Sequence, residues 1–171
     1  MIYMCCAQEE RERVREMKFQ CPLIAVSDME RSKQFYFDVL GLSVVADFGA
    51  NVTLTGGVAL QTRETWLRFI GKREEELVFG GNAGELYFEE DDFDGFLQKL
   101  AAAEGVALVH PAVEHAWGQR AVRFYDPDRH IVEVGENMAA VVRRFAESGL
   151  SAEETAKRMD VPVEYVKSLL S

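Results

Sequence analysis

The sequence predicts an α+β fold of paired βαβββ modules, closing as a curved mixed sheet around a cleft and carrying a helical tail. Three observations predict it. After Met17 the order strand, helix, strand, strand, strand is stated twice. The helix-capping positions Asp28 and Asp92 fall at equivalent places, about 64 residues apart. Beyond residue 136 the strand patterning gives way to short amphipathic helices. One such module cannot bury both faces of its sheet, whereas a pair leaves helices outside and a cleft inside.

The elements follow in order. Residues 1–16 form a charged extension after Met1-Ile2-Tyr3-Met4-Cys5-Cys6, with little apolar face to bury, and Met17 is a plausible native start. Lys18 to Val26 is an apolar run that reads as a buried strand. Asp28 then caps a helix whose face holds Phe35, Tyr36, Val39 and Leu40, and Gly41 stops it. Ser43 to Phe48, Asn51 to Thr55 and Val58 to Thr62 are the next strands, punctuated by Gly49 and Gly56-Gly57. A short helix over Glu64 to Ile70 and a charged link complete a first module of about residues 17–80.

The second module spans about residues 81–136. Glu85 to Glu89 is its first strand, followed by a helix with Phe93, Phe96, Leu97 and Leu100 that Gly105 closes. Val106 to Val109, Arg120 to Tyr125 and Ile131 to Val134 are its later strands, with residues 110–119 as a loop over the cleft. The tail, residues 137–171, has a helix from Met138 to Ala146. A second begins at Ser151 with a Glu154 capping box, and a third follows Pro162. The last two resemble a helix-turn-helix unit, but four acids against three bases suit packing or a dimer contact better than DNA.

Composition narrows the function. A net charge of −10 argues against nucleic acid as partner and suits a cationic ligand where acids converge. No apolar run reaches membrane-spanning length, so no membrane partner is expected. Three cysteines, two of them adjacent, make no disulfide framework and point to a reducing cytoplasm.

Two motifs carry a family resemblance. Asp28-Met29-Glu30-Arg31-Ser32-Lys33-Gln34-Phe35-Tyr36-Phe37-Asp38-Val39-Leu40-Gly41 resembles the first-module signature of the vicinal-oxygen-chelate superfamily of glyoxalases, bleomycin-resistance proteins and extradiol dioxygenases. Trp117-Gly118-Gln119-Arg120 with Asp126-Pro127-Asp128-Arg129-His130-Ile131-Val132-Glu133-Val134 resembles its last hairpin. In metal-dependent members of that superfamily a divalent ion is held by His and Glu from the first and last strand of each module. It then acts as a Lewis acid on vicinal oxygens.

Mapped onto this chain, those places fall on Cys21, Leu60, Glu85 and Glu133, with Gln61 one residue from Leu60 and facing the other way. The expected histidines are absent. Cys21, Glu85 and Glu133 are the candidate metal ligands, with Glu133 catalytic in a lyase or isomerase. Tyr87, Trp117 and Arg123 join Glu85 and Glu133 as candidate ligand-binding residues, with Arg123 placed to neutralise an acid. His110, His115 and His130 read as surface or structural, His115 being the one worth testing.

The expectation is a small-molecule binder with an acidic aromatic cleft, without the standard glyoxalase metal centre. A metal-dependent lyase is its rival, and a regulator acting through the tail a third reading. The resemblance further implies a homodimer.

Overall fold

The structure is a computed structural model and describes residues 17–170. The charged extension assigned to residues 1–16 and the question of a start at Met17 lie outside the described residues. The first module holds β1 (Leu23–Val26), α1 (Met29–Leu40), β2 (Val44–Asp47), β3 (Asn51–Leu54), β4 (Ala59–Thr62) and α2 (Arg63–Ile70). The second holds β5 (Glu85–Glu90), α3 (Phe93–Ala102), β6 (Leu108–Glu114), β7 (Arg120–Tyr125) and β8 (Ile131–Glu136). Helices α4 (Met138–Glu147), α5 (Ala152–Met159) and α6 (Val163–Leu170) form the tail.

The repeat is real in topology. The sheet orders are β1-β4-β3-β2 and β5-β8-β7-β6, and in each the first pair is parallel and the rest antiparallel. Asp28 accepts from the backbone N–H of Arg31, and Asp92 from that of Gly95, so both caps act as read. Gly41 takes the left-handed conformation that ends α1 (φ 71°), which an L side chain adopts only with strain.

Three boundaries differ from expectation. The first strand begins at Leu23, and Met17 and Phe19 stand exposed ahead of it. Helix α3 ends at Ala102 with an extended Ala103, so Gly105 turns the following link rather than capping the helix. Strand β6 runs on to Glu114, across residues expected to form a loop, as the edge strand of its sheet. An edge tolerates Pro111, which has no N–H to give, and the register shifts on either side of His110 absorb the irregularity.

Alternation on the strands divides each sheet into two faces. On one face Val122, Phe124, Val132 and Val134 pack against Phe93, Phe96 and Leu100 of α3 and Val39 of α1. Val26, Val52, Leu54 and Leu60 pack against Tyr36 in the same way, with Leu86 and Phe88 of β5 touching this cluster. Helix α1 therefore belongs to both cores.

Polar contacts reinforce the joint. Buried Asp126 accepts from the Tyr36 hydroxyl (2.9 Å), the backbone N–H groups of Asp128 and His130, and lies 2.9 Å from His130 Nδ1. Asp128 accepts from Ser27 and from Arg31. Burial beside Asp126 raises the Tyr36 hydroxyl far above its ordinary pKa, which leaves it a permanent donor.

The tail has its own small core of Val141, Val142, Phe145, Ala156, Met159 and Val166. Ser151 and Glu154 form the expected capping box, and Asp160 ends α5 in the left-handed conformation. No helix of the described residues is long and apolar enough to cross a membrane.

Candidate functional site

The face of the second sheet turned away from the helices carries the chemistry. Register places Tyr87, Glu133, Arg123 and His110 side by side across β5, β8, β7 and β6. Glu85 and Glu89 flank Tyr87 at the alternate positions of β5, where strand period keeps all three on one face.

Arg123 is its hub. Its Nε donates to Glu85 Oε2 at 2.8 Å, a terminal nitrogen pairs closely with Glu133 Oε2, and another lies 3.5 Å from His110 Nε2. Arg123 thus meets both acids, where the sequence suggested only one. The two carboxyls respond in opposite directions. Glu85, half-exposed and bonded to the guanidinium, is held below the ordinary carboxylate range. Glu133 is buried, and loss of water together with the neighbouring Glu85 raises it. Proximity makes the two titrate as a pair.

A second chain of bonds runs along the same face. Trp117 Nε1 donates to Gln119 Oε1 at 3.2 Å, and Gln119 Nε2 donates to the Tyr87 hydroxyl at 2.9 Å. The Tyr87 hydroxyl donates in turn to Glu89 at 2.9 Å. Burial pushes Tyr87 up to about 12, against the opposing bond from Gln119 and with help from Glu89, so it stays protonated. Gly135 is what lets these side chains meet. A Cβ there would lie 2.8 Å from Gln119 Nε2 and 3.2 Å from the Tyr87 ring. His115 stacks on Trp117 with ring centroids 4.4 Å apart, which gives the face an aromatic rim.

The first module contributes differently from the alignment. Leu60 is wholly buried in the helix-side core, and Gln61 occupies the opposite face of β4. Gln61 is also buried, accepting from Asn51 (2.9 Å) and bonded to Thr65. Its amide is engaged within its own module. Cys21 sits half-buried two residues ahead of β1.

Residues 19–139 match the model of the glyoxalase-like domain family. The chain belongs to that family, and so to the vicinal-oxygen-chelate superfamily.

Among solved structures this glyoxalase-like chain is similar to a protein of unknown function from Agrobacterium tumefaciens str. C58. The two share 40% identity with a TM-score of 0.65, over 73% of this chain and 98% of that one. A glyoxalase/bleomycin resistance protein/dioxygenase family enzyme from Burkholderia phytofirmans PsJN is 18% identical (TM-score 0.59), over 68% of this chain and 96% of that one. A glyoxalase-related enzyme from Fulvimarina pelagi is 22% identical (TM-score 0.58), over 70% and 89%. The last two show the shared fold alone. No curated protein matches the chain significantly.

In metal-dependent members of the superfamily, one position on the first and last strand of each module holds a divalent ion. Of the four family positions, two are Glu85 and Glu133, and both carboxylates are already engaged by Arg123. The others are Cys21 and the Leu60–Gln61 pair described above. Among the described residues no group of three or more His, Cys, Asp or Glu is assembled to hold an ion. A divalent ion at Glu85 and Glu133 would have to displace a guanidinium and find a further ligand. The residues present do not fit it.

Two members of the face escaped the sequence reading. Gln119 was visible within the Trp117-Gly118-Gln119-Arg120 motif, and its spacing of two and four from Ala121 and Arg123 signals a shared face. His110 had no such signal, since only the register of β6 on β7 brings it to Arg123.

Proposed function

We propose that this glyoxalase-like protein binds a small organic cation with an aromatic or apolar body on the open face of its second sheet, without a metal. One observation carries the reading: three carboxylates, Glu85, Glu89 and Glu133, share that face with one guanidinium, Arg123. The surplus negative charge favours a cation, and the half-exposed rings of Tyr87 and Trp117 offer π faces to it. Nothing in this scheme asks for covalent chemistry.

The test is calorimetric titration of the full chain with benzyltrimethylammonium, with and without EDTA. Saturable binding unchanged by EDTA, and weakened by Glu133→Gln, is expected. Binding that appears only with added Zn, Ni or Mn would sink the proposal and return the metal-dependent lyase to first place.

The reading extends to a homodimer whose partner covers apolar side chains left exposed, Leu23, Val45 and Val113 among them. Sedimentation equilibrium decides it, a monomer at all concentrations being the contrary result.

A further inference from the structure

The tail lies almost wholly beyond the family match, which ends at residue 139, yet it is bonded to the loop that borders the ligand face. Arg144 on α4 donates to the Gly118 carbonyl at 2.6 Å and pairs with buried Glu136 at 2.9 Å. Arg158 on α5 donates to the Ala116 carbonyl at 2.9 Å and pairs with Glu114 at 3.4 Å. Two tail arginines thus take two backbone carbonyls of the same short loop, residues 115–119.

Packing tightens the same joint. Gly118 has φ +90°, and a Cβ there would run into the Phe145 ring of α4. Only glycine lets the loop come this close to the helix. A cavity of about 370 Å³ lies between Trp117 and the tail, walled by Met138, Met159 and Val161, with Arg158 and Asp160 also lining it. From the held loop, Trp117 donates to Gln119, and Gln119 passes the constraint on to the Tyr87 hydroxyl.

We propose that the C-terminal helices are a clamp on the ligand site, with Arg144 and Arg158 as positioning residues. They hold loop 115–119 so that Trp117 and Gln119 present a fixed aromatic and amide edge beside Tyr87. This rests on the reading that the ligand lies against that face. The loop is a tight turn closed by its own backbone bonds, His115 N–H to the Gln119 carbonyl (2.8 Å) and Gly118 N–H to the His115 carbonyl (2.9 Å). The two charge-assisted bonds to its carbonyls fix how that turn sits against the tail before a ligand arrives.

The experiment uses the full chain in a Trp66→Phe background, where Trp117 is the one remaining indole. Acrylamide quenching of Trp117 reports the loop without any ligand, and benzyltrimethylammonium titration reports the site. Arg158→Ala, on an exposed helix surface, and Arg144→Ala are compared with Arg144→Lys and Arg158→Lys.

Each alanine variant should quench more readily. It should also bind the cation about tenfold more weakly, as expected for losing one charge-assisted bond that preorganises the site. The lysine variants should recover part of both. Arg144→Ala should melt lower than Arg158→Ala, because only Arg144 also pairs with buried Glu136, yet the two should be alike in quenching and binding.

Unchanged quenching in both alanine variants overturns the clamp, whatever the binding. Faster quenching with unchanged affinity overturns the positioning role. A parent that binds no cation at all removes the proposed function, while quenching still decides whether the tail holds the loop.

Discussion

At the scale of single residues, Arg123 explains most of what the site is. A guanidinium between two carboxylates is an internal counter-ion, so its removal should unmask them. In Arg123→Ala, Glu85 and Glu133 are left facing each other, and divalent zinc should raise the melting temperature of the variant and not of the parent. Equal response of the two proteins would contradict that account.

The acids also set opposite pH dependences. Glu136, though burial pushes it up, is held below the ordinary 4.5 by bonds from Arg120 and Arg144. Its stabilisation is therefore complete above the unfolded value and is lost as pH falls through the folded one. Glu133 is raised, so its contribution is complete below the unfolded value and fades as pH rises through the folded one. Glu136→Gln should flatten the acid limb of a stability profile, and Glu133→Gln should raise stability above that window relative to the parent. Urea melts across pH 3 to 8 check both signs.

The residue scale is also where sequence reading reached least far. Glu85 and Glu133 were legible through the family resemblance, and strand period adds Tyr87 to the face of Glu85. Leu60 was placed on the wrong face, because counting along a four-residue strand carries no mark of which side the helix covers.

At the scale of elements, polar anchors decide where strands and helices stop. The turn from Asp126 to His130 is organised by one buried carboxylate that takes donors from the turn and from α1. Arg129 occupies the left-handed region there (φ 70°), and its guanidinium lies over the Tyr125 ring at 3.9 Å. Asp126→Ala would strand the buried Tyr36 hydroxyl and two N–H groups, and about 3–5 kcal/mol of stability should go. Tyr36→Phe removes one donor of several and should cost about 1 kcal/mol. Denaturant unfolding compares them, and equal losses would mean that the turn is not held by this carboxylate.

Local signals made these elements readable. Asp28, Asp92, Gly41 and the Ser151–Glu154 box act through groups within a few residues of themselves. Strand β6 was read short because Pro111 looks like a breaker, and only its edge position in the sheet makes it harmless.

At the scale of the whole molecule, the contacts predict which parts unfold together. Helix α1 packs into both sheet cores, and its Arg31 and Tyr36, with Ser27 just ahead of it, bond to the β7–β8 turn, so the two modules share one transition. The duplication was legible as a repeat, but this joint was not, since Tyr36 and Asp126 lie 90 residues apart. The tail is different. Its core is one small cluster on three short helices, too little apolar surface to be stable alone. It depends on Arg144, Arg158 and Phe145 against loop 115–119.

Native-state hydrogen exchange should therefore show two levels of protection. Amides of β7 and β8 should exchange only by global unfolding, with those of α1. Amides of α5 and α6 should exchange through a cheaper opening that detaches the tail. Gly118→Ala, which drives a Cβ into the Phe145 ring, should lower the protection of α5 and α6 while leaving β8 nearly unchanged. If β8 loses protection in step with α6, the tail is part of the same cooperative unit as the modules, and the loop it grips is no hinge between them.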